Sequence, residues 1–204
     1  MVRDIGLAGF SFARHVVGII TRPYETYRHI VEHGSTWELV YIGVLCALYF
    51  FVAALLRTSL YAPFLLTRQF FTVFGVTGLT FLFIVGIYWA SGRMFRHVSI
   101  KGILMGWGYS LVPTLLWFWM TSILYVIVPP PRTTSVLGVA FSIVYLLLSA
   151  TLLFWKITLS YLALRFGLRL DLMKILLINL IILPLIGLYS IEMYRLGIFR
   201  VPFI

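Results

Sequence analysis

Five long apolar runs dominate this chain of 204 residues. A helix needs about 20 consecutive apolar residues to cross the hydrocarbon core of a bilayer. The sequence is 62% hydrophobic and only 11% charged, whereas soluble domains carry about 25% charged residues. The chain therefore has too little polar surface for water, and we expect an all-α polytopic membrane protein with five transmembrane helices.

The spans can be placed from where each apolar run meets proline, glycine or a charge. We expect them at about residues 38–57, 70–92, 102–128, 137–164 and 172–191, within one transmembrane domain over residues 37–204. Residues 1–36 are mixed in polarity and form a separate cytoplasmic or interfacial amphipathic segment. There, Phe12, Val16, Ile19 and Ile20 share one helical stripe, which favours a helix lying in the membrane interface.

The basic residues predict how the chain is oriented. Ten of the 16 Lys and Arg residues lie in the N-terminal segment and in the second and fourth loops, five lie on the opposite side, and Lys156 lies within a span. Because cytoplasmic loops are enriched in Lys and Arg, we expect a cytoplasmic N-terminus, an outside C-terminus and a bacterial inner-membrane location. Anionic lipid headgroups should contact Arg14, Arg22, Arg28, Arg93, Arg96, Lys101, Arg165 and Arg169.

Lys156 is the most unusual residue, since it is a charge inside the fourth apolar run. A charge there costs about 2.5–3.5 kcal/mol on insertion scales, so such residues are usually paired, snorkelled or functional. Two interpretations stay open. Lys156 either snorkels or packs on backbone carbonyls, or it pairs with Glu38, the one acid at the same mouth of the first span, or with another anionic group.

Prolines inside two spans predict a second polar feature. Pro113 and Pro184 each remove a backbone hydrogen bond and should kink their helices, and the freed carbonyls need partners in lipid. Tyr109, Ser110 and Asn179 are polar groups at similar depths, so with Lys156 and Glu38 they form a candidate intramembrane site. It is either structural glue or a binding site. Gly102-x-x-x-Gly106 and Gly86-x-x-x-Ala90 should pack the second and third spans together.

Three motifs resemble the Yip family of Ypt/Rab-interacting membrane proteins in its short bacterial form. They are Arg22-Pro-Tyr-Glu-Thr-Tyr-Arg-His-Ile30, Gly108-Tyr-Ser-Leu-Val-Pro113 and Phe166-Gly-Leu-Arg169. The resemblance implies five spans and a cytoplasmic N-terminus. Eukaryotic members act in vesicle traffic and have a long polar N-terminal region, which this chain lacks, so that role is not carried over.

The leading functional hypothesis is a non-enzymatic membrane protein with a membrane-organising or protein-interaction role. All four histidines fall outside the expected spans, and no serine elbow, phosphate loop or intramembrane carboxylate pair is visible. We therefore expect no catalytic residues, no metal and no cofactor. Partners would be membrane lipids and either another protein or a second copy of the chain, with no nucleic acid. The alternative is a small transporter, channel or lipid-moving protein with a polar site around Lys156.

Overall fold

The computed structural model describes residues 2–57, 63–95, 98–127 and 135–198. Within these ranges the chain forms helices and no strand: α1 (Val2–Thr21), α2 (Pro23–His33), α3 (Trp37–Arg57), α4 (Pro63–Arg93), α5 (Ile100–Tyr109), α6 (Val112–Ile127), α7 (Val136–Gly167) and α8 (Leu172–Arg195). Five segments are long and apolar enough to cross a membrane, α5 and α6 together forming the third. The prediction of an all-α, five-span protein is confirmed.

The third span is interrupted near Pro113, where a kink was expected. Ser110 and Leu111 form a turn between α5 and α6. Their N–H groups donate to the carbonyls of Gly106 (3.2 Å) and Gly108 (3.1 Å). Pro113, the second residue of α6, has no N–H to offer the carbonyl four residues earlier, which accounts for the break. In contrast, α8 runs without interruption through Pro184.

Two apolar cores lie on either side of the α5–α7 pair, which is the most extensive helix contact. The first core joins α1, α2, α3 and α6 to that pair and includes Ile19, Ile30 and Leu159. The second joins α4 and α8 to the same pair and includes Tyr88 and Ile178. Because α5 and α7 belong to both cores, they connect the N-terminal helices to the rest of the bundle.

The small residues of α5 allow its close approach to α7, not to the second span. A Cβ added at Gly106 would meet the Ala163 Cα at 3.1 Å, and one added at Gly167 would meet the Ile103 Cα at 2.9 Å. Gly86 has nothing within 4 Å. The expected contact between the second and third spans through Gly86 is therefore wrong, because α7 occupies the small-residue face of α5.

Gly167→Ala should destabilise the protein, since the added methyl group meets backbone that cannot rotate away. Overpacking of this kind costs about 1–3 kcal/mol. Gly86→Ala is the matched control and should be neutral or slightly stabilising, because alanine favours helix. The free energy of unfolding of both variants can be measured by SDS titration in mixed micelles. Equal stability of the two variants would contradict the close α5–α7 contact.

Candidate functional site

A buried carboxylate joins the N-terminal helices to the third span. Glu38 Oε2 accepts hydrogen bonds from His15 Nδ1 at 2.8 Å and from the Tyr109 hydroxyl at 2.5 Å. Glu38 Oε1 accepts from the Ser35 N–H at 3.1 Å. The three side chains are 1% (Glu38), 3% (His15) and 0% (Tyr109) exposed. We call His15, Glu38 and Tyr109 the carboxylate cluster.

Local sequence fixes the position of Glu38. Ser35-Thr-Trp-Glu38 has the spacing of a helix-capping box, in which the third helical residue bonds back to the N–H of the capping serine. Here Glu38 closes that bond on Ser35, and the Trp37 N–H lies 3.4 Å from the Ser35 hydroxyl. One carboxylate oxygen is thereby used within the turn, and the other points to His15 and Tyr109.

His15 is held in place by the packing of α1 on the bundle. Phe12, one turn earlier, stacks on Tyr41 with ring centroids 5.8 Å apart and also lies against Tyr109. This contact turns the His15 face of α1 toward α3. The buried pair of His15 and Glu38 therefore depends on aromatic packing between α1 and α3 as well as on charge.

A row of imidazoles leads from the carboxylate cluster to the protein surface. His15 Nε2 lies 3.1 Å from His29 Nδ1, and the rings of His29 and His33 stack with centroids 5.1 Å apart. Desolvation lowers the pKa of His29 from its ordinary value, and the neighbouring His15, His33 and Arg14 lower it further. The lowered pKa favours the neutral imidazole of His29, and the tautomers of the two rings decide which of them donates in the bond between His15 and His29.

The arrangement is suited to holding helices together and to moving a proton between imidazole and carboxylate. Among the residues that the structure describes, no group of three His, Cys, Asp or Glu side chains could hold a metal ion.

The sequence-predicted polar residues divide into separate sites. Glu38 and Tyr109 are joined, whereas the hydroxyl of Ser110 donates to the Trp107 carbonyl at 2.7 Å. Asn179 accepts from the Tyr88 hydroxyl at 2.8 Å, on the other side of α5. Lys156 is half-buried and forms no hydrogen bond or ion pair with any described residue. The partner that the structure gives Glu38 is therefore His15, not Lys156.

The predicted headgroup-binding residues are exposed wherever the structure describes them, namely at Arg14, Arg22, Arg28, Arg93, Lys101, Arg165 and Arg169. Arg96 lies outside the described residues. Arg165 sits over the Tyr24 ring at 5.6 Å and Arg93 over the Trp89 ring at 4.8 Å. Their contact with lipid stays a prediction.

The apolar stripe of α1 that was assigned to the membrane interface instead faces the protein. Ile19 is fully buried, and Phe12 and Val16 pack against the first core. Only Ile20 is exposed. The opposite face carries Leu7, Phe10, Val17 and Ile20, which are 60–74% exposed, and we call these four residues the outer stripe. The stripe was assigned to the wrong side of α1 because this helix is apolar on two faces, and a single helix does not reveal which of them a neighbour covers. An interfacial position for α1 stays a prediction.

His15 is the functional residue that the sequence analysis missed. In the sequence analysis it was placed only outside the expected spans. Two signals could have identified it: the capping-box spacing of Ser35 and Glu38, and its place between Phe12 and Ile19 on one helical face.

Five spans, an interrupted third span and two N-terminal helices attached through a buried carboxylate define a polytopic helical membrane protein. The Yip1 domain family model matches residues 17–193. The chain therefore belongs to the Yip family, as the three motifs indicated. A search of curated proteins and a search of solved structures both return no match.

Tyr109→Phe should lower the free energy of unfolding by about 1–3 kcal/mol, since it leaves the buried Glu38 carboxylate with one donor fewer. Tyr194→Phe removes a hydroxyl from a tyrosine that is 50% exposed and is the matched control, with an expected change within about 0.5 kcal/mol. SDS titration measures both. A Tyr109→Phe variant as stable as Tyr194→Phe would contradict the importance of this bond.

Proposed function

We propose that this chain is a non-enzymatic membrane-organising protein of the bacterial inner membrane. In this proposal α1 lies on the cytoplasmic leaflet and inserts its outer stripe among the lipids. One observation carries the proposal: α1 is fixed to the spans by the carboxylate cluster on one face and leaves four large apolar residues exposed on the other. A preformed apolar helix at the interface is a device by which proteins sense or deform bilayers.

The charges around α1 support lipid as its contact. Arg14 lies on α1 itself and Arg22 follows its last residue, and both are exposed. Each basic residue near an anionic leaflet contributes about 1 kcal/mol of attraction. Among the described residues, Arg22 pairs with Glu25 at 3.9 Å and Arg28 with Glu32 at 3.3 Å. Both acids are exposed, and exposed pairs of this kind are weak. Anionic headgroups can therefore compete for these arginines.

Attachment to the spans gives this helix a property that a free amphipathic peptide lacks. Binding of a free helix to a bilayer carries an entropic cost for association and ordering. Here α1 is already folded and held beside the spans, so its outer stripe stays at the leaflet at any protein concentration. The number of inserted helices then follows the number of protein molecules in the membrane.

A second candidate is a small transporter or a lipid-moving protein with a polar site around Lys156. One observation favours it: Lys156 has no ionic partner among the described residues. A charged residue without a partner has an unfavourable free energy in lipid, and intramembrane charges often mark a substrate path.

Leu7→Ser with Phe10→Ser should weaken membrane remodelling, because it removes half of the outer stripe. The wild-type protein reconstituted in vesicles that contain phosphatidylglycerol should shift the vesicle diameter, and the double variant should shift it less. The measurement is the diameter distribution by cryo-electron microscopy at matched protein-to-lipid ratios. Phe64→Ser with Leu65→Ser is the matched control, since both residues are exposed at the start of α4 and far from α1 in sequence.

A fluorescent probe at position 10, in a Cys46→Ser background, distinguishes lipid from a protein partner. Quenching of this probe by doxyl-labelled lipids in vesicles that contain only this protein supports insertion. Vesicle diameters that are the same for wild type, double variant and control, together with a water-exposed probe, would contradict the proposal and leave the outer stripe to a protein partner.

A further inference from the structure

Lys156 lies on the face of α7 that packs against α6. Two hydrogen bonds define this contact: Trp117 Nε1 donates to the Ser149 hydroxyl at 3.0 Å, and Thr121 and Tyr145 bond through their hydroxyls at 3.0 Å. Lys156 follows Ser149 by seven residues, which is two helical turns, and so shares its face. The lysine stem therefore continues the row of side chains that faces α6.

The helix register places Lys156 beside the interruption of the third span. Trp117 pairs with Ser149, and the antiparallel contact of α5 with α7 brings Gly106 to Ala163. Interpolation between these two contacts puts Lys156 opposite the turn that separates α5 from α6. It thus lies at the only internal break in the described spans.

Two groups at this break lack partners. The hydroxyl oxygen of Thr114 is fully buried, and no described residue bonds to it. Thr114 is one turn before Trp117, so it points toward α7. In the first turn of α6, Pro113 has no N–H and the Leu115 N–H donates to the Leu111 carbonyl at 2.9 Å. The N–H groups of Val112 and Thr114 have no backbone acceptor among the described residues, and they lie at the positive end of the helix dipole.

Helix geometry directs the Lys156 side chain toward the Thr114 hydroxyl and the first turn of α6. Side chains on an α-helix lean toward its N-terminus, so the Lys156 stem leans toward the level of Thr114. Snorkelling to the nearer end of α7 would require the opposite direction, and the end of that helix at Gly167 is about 16 Å away at 1.5 Å per residue. A lysine stem recovers only part of such a distance.

The chain supplies no acid for this site among its described side chains. Glu38 is bound by His15, and Glu192 lies 2.8 Å from Arg195. Glu25, Glu32 and Asp171 are exposed and lie outside the apolar runs. A cation, a hydroxyl donor and a helix N-terminus thus converge without an anion to balance them.

We propose that Lys156, the Thr114 hydroxyl and the first turn of α6 bind a phosphate oxyanion within the bilayer. The phosphate comes either from an anionic lipid that enters from the side or from free phosphate. Leu153, Phe154 and Ile157, which lie on other faces of α7 at the level of Lys156, are 54–68% exposed, so α7 is at the outside of the bundle here and a lipid can approach it from the side. The inference concerns binding alone and requires neither transport nor insertion of α1, so it can fail without affecting the membrane-organising role.

The test is lipid binding to the purified full chain in neutral detergent, followed by native mass spectrometry. Phosphatidylglycerol is the probe and phosphatidylcholine the neutral comparison. The tightest phosphatidylglycerol site of the wild type should be weakened about tenfold in Lys156→Met and clearly weakened in Thr114→Val. It should be kept in Lys156→Arg. Lys174→Met, an exposed lysine in the first turn of α8, is the matched control and should leave that site unchanged.

Inorganic phosphate distinguishes the two sources. Displacement of phosphatidylglycerol by millimolar phosphate supports a site that accepts free phosphate, whereas no displacement supports a lipid. Equal phosphatidylglycerol affinity in wild type, Lys156→Met and Thr114→Val would overturn the proposal, as would a wild type with no preference for phosphatidylglycerol over phosphatidylcholine and no phosphate binding. If Lys156→Met does not fold, the nearly isosteric Thr114→Val decides between these outcomes.

Discussion

The Glu38 carboxylate is the group on which the arrangement of the N-terminal half depends. An ionised carboxylate that is 1% exposed is tolerated only when it is paired and hydrogen-bonded. Its partners come from three places: His15 on α1, Tyr109 at the end of α5 and the backbone of Ser35. Removing any one element would leave a buried charge short of donors, so α1, α3 and the third span are favoured together.

The interruption of the third span has two consequences. It ends α5 at Tyr109, which places that hydroxyl on Glu38, and it leaves the N–H groups of Val112 and Thr114 without a backbone acceptor among the described residues. Inside a membrane, irregular backbone is tolerated where protein encloses it. Here α7 lies alongside the break, with its close contact at Gly106 on one side and its hydrogen bonds to α6 on the other. The same turn thus contributes to the carboxylate cluster and to the environment of Lys156.

The length of the apolar runs was sufficient to predict the spans, because every helix that crosses a bilayer needs a similar number of consecutive apolar residues. The family followed from short motifs such as Gly108-Tyr-Ser-Leu-Val-Pro113. Side-chain partners could not be predicted in the same way. Glu38 was matched to Lys156 because both were expected at one membrane face, but hydropathy does not report rotation about the helix axis, and it is rotation that brings His15 to Glu38. Likewise, α1 has two apolar faces, and tertiary contacts alone decide which one is covered.

The carboxylate cluster holds α1 and α2 on the spans. Hydrogen–deuterium exchange of wild type and Glu38→Gln in neutral nanodiscs tests it most directly, with Glu192→Gln, an exposed acid beside Arg195, as the control. We expect faster amide exchange in α1 and α2 of Glu38→Gln, unchanged exchange in α4 and α8, and no change in the control. Exchange in α1 that is as slow in Glu38→Gln as in wild type would contradict it.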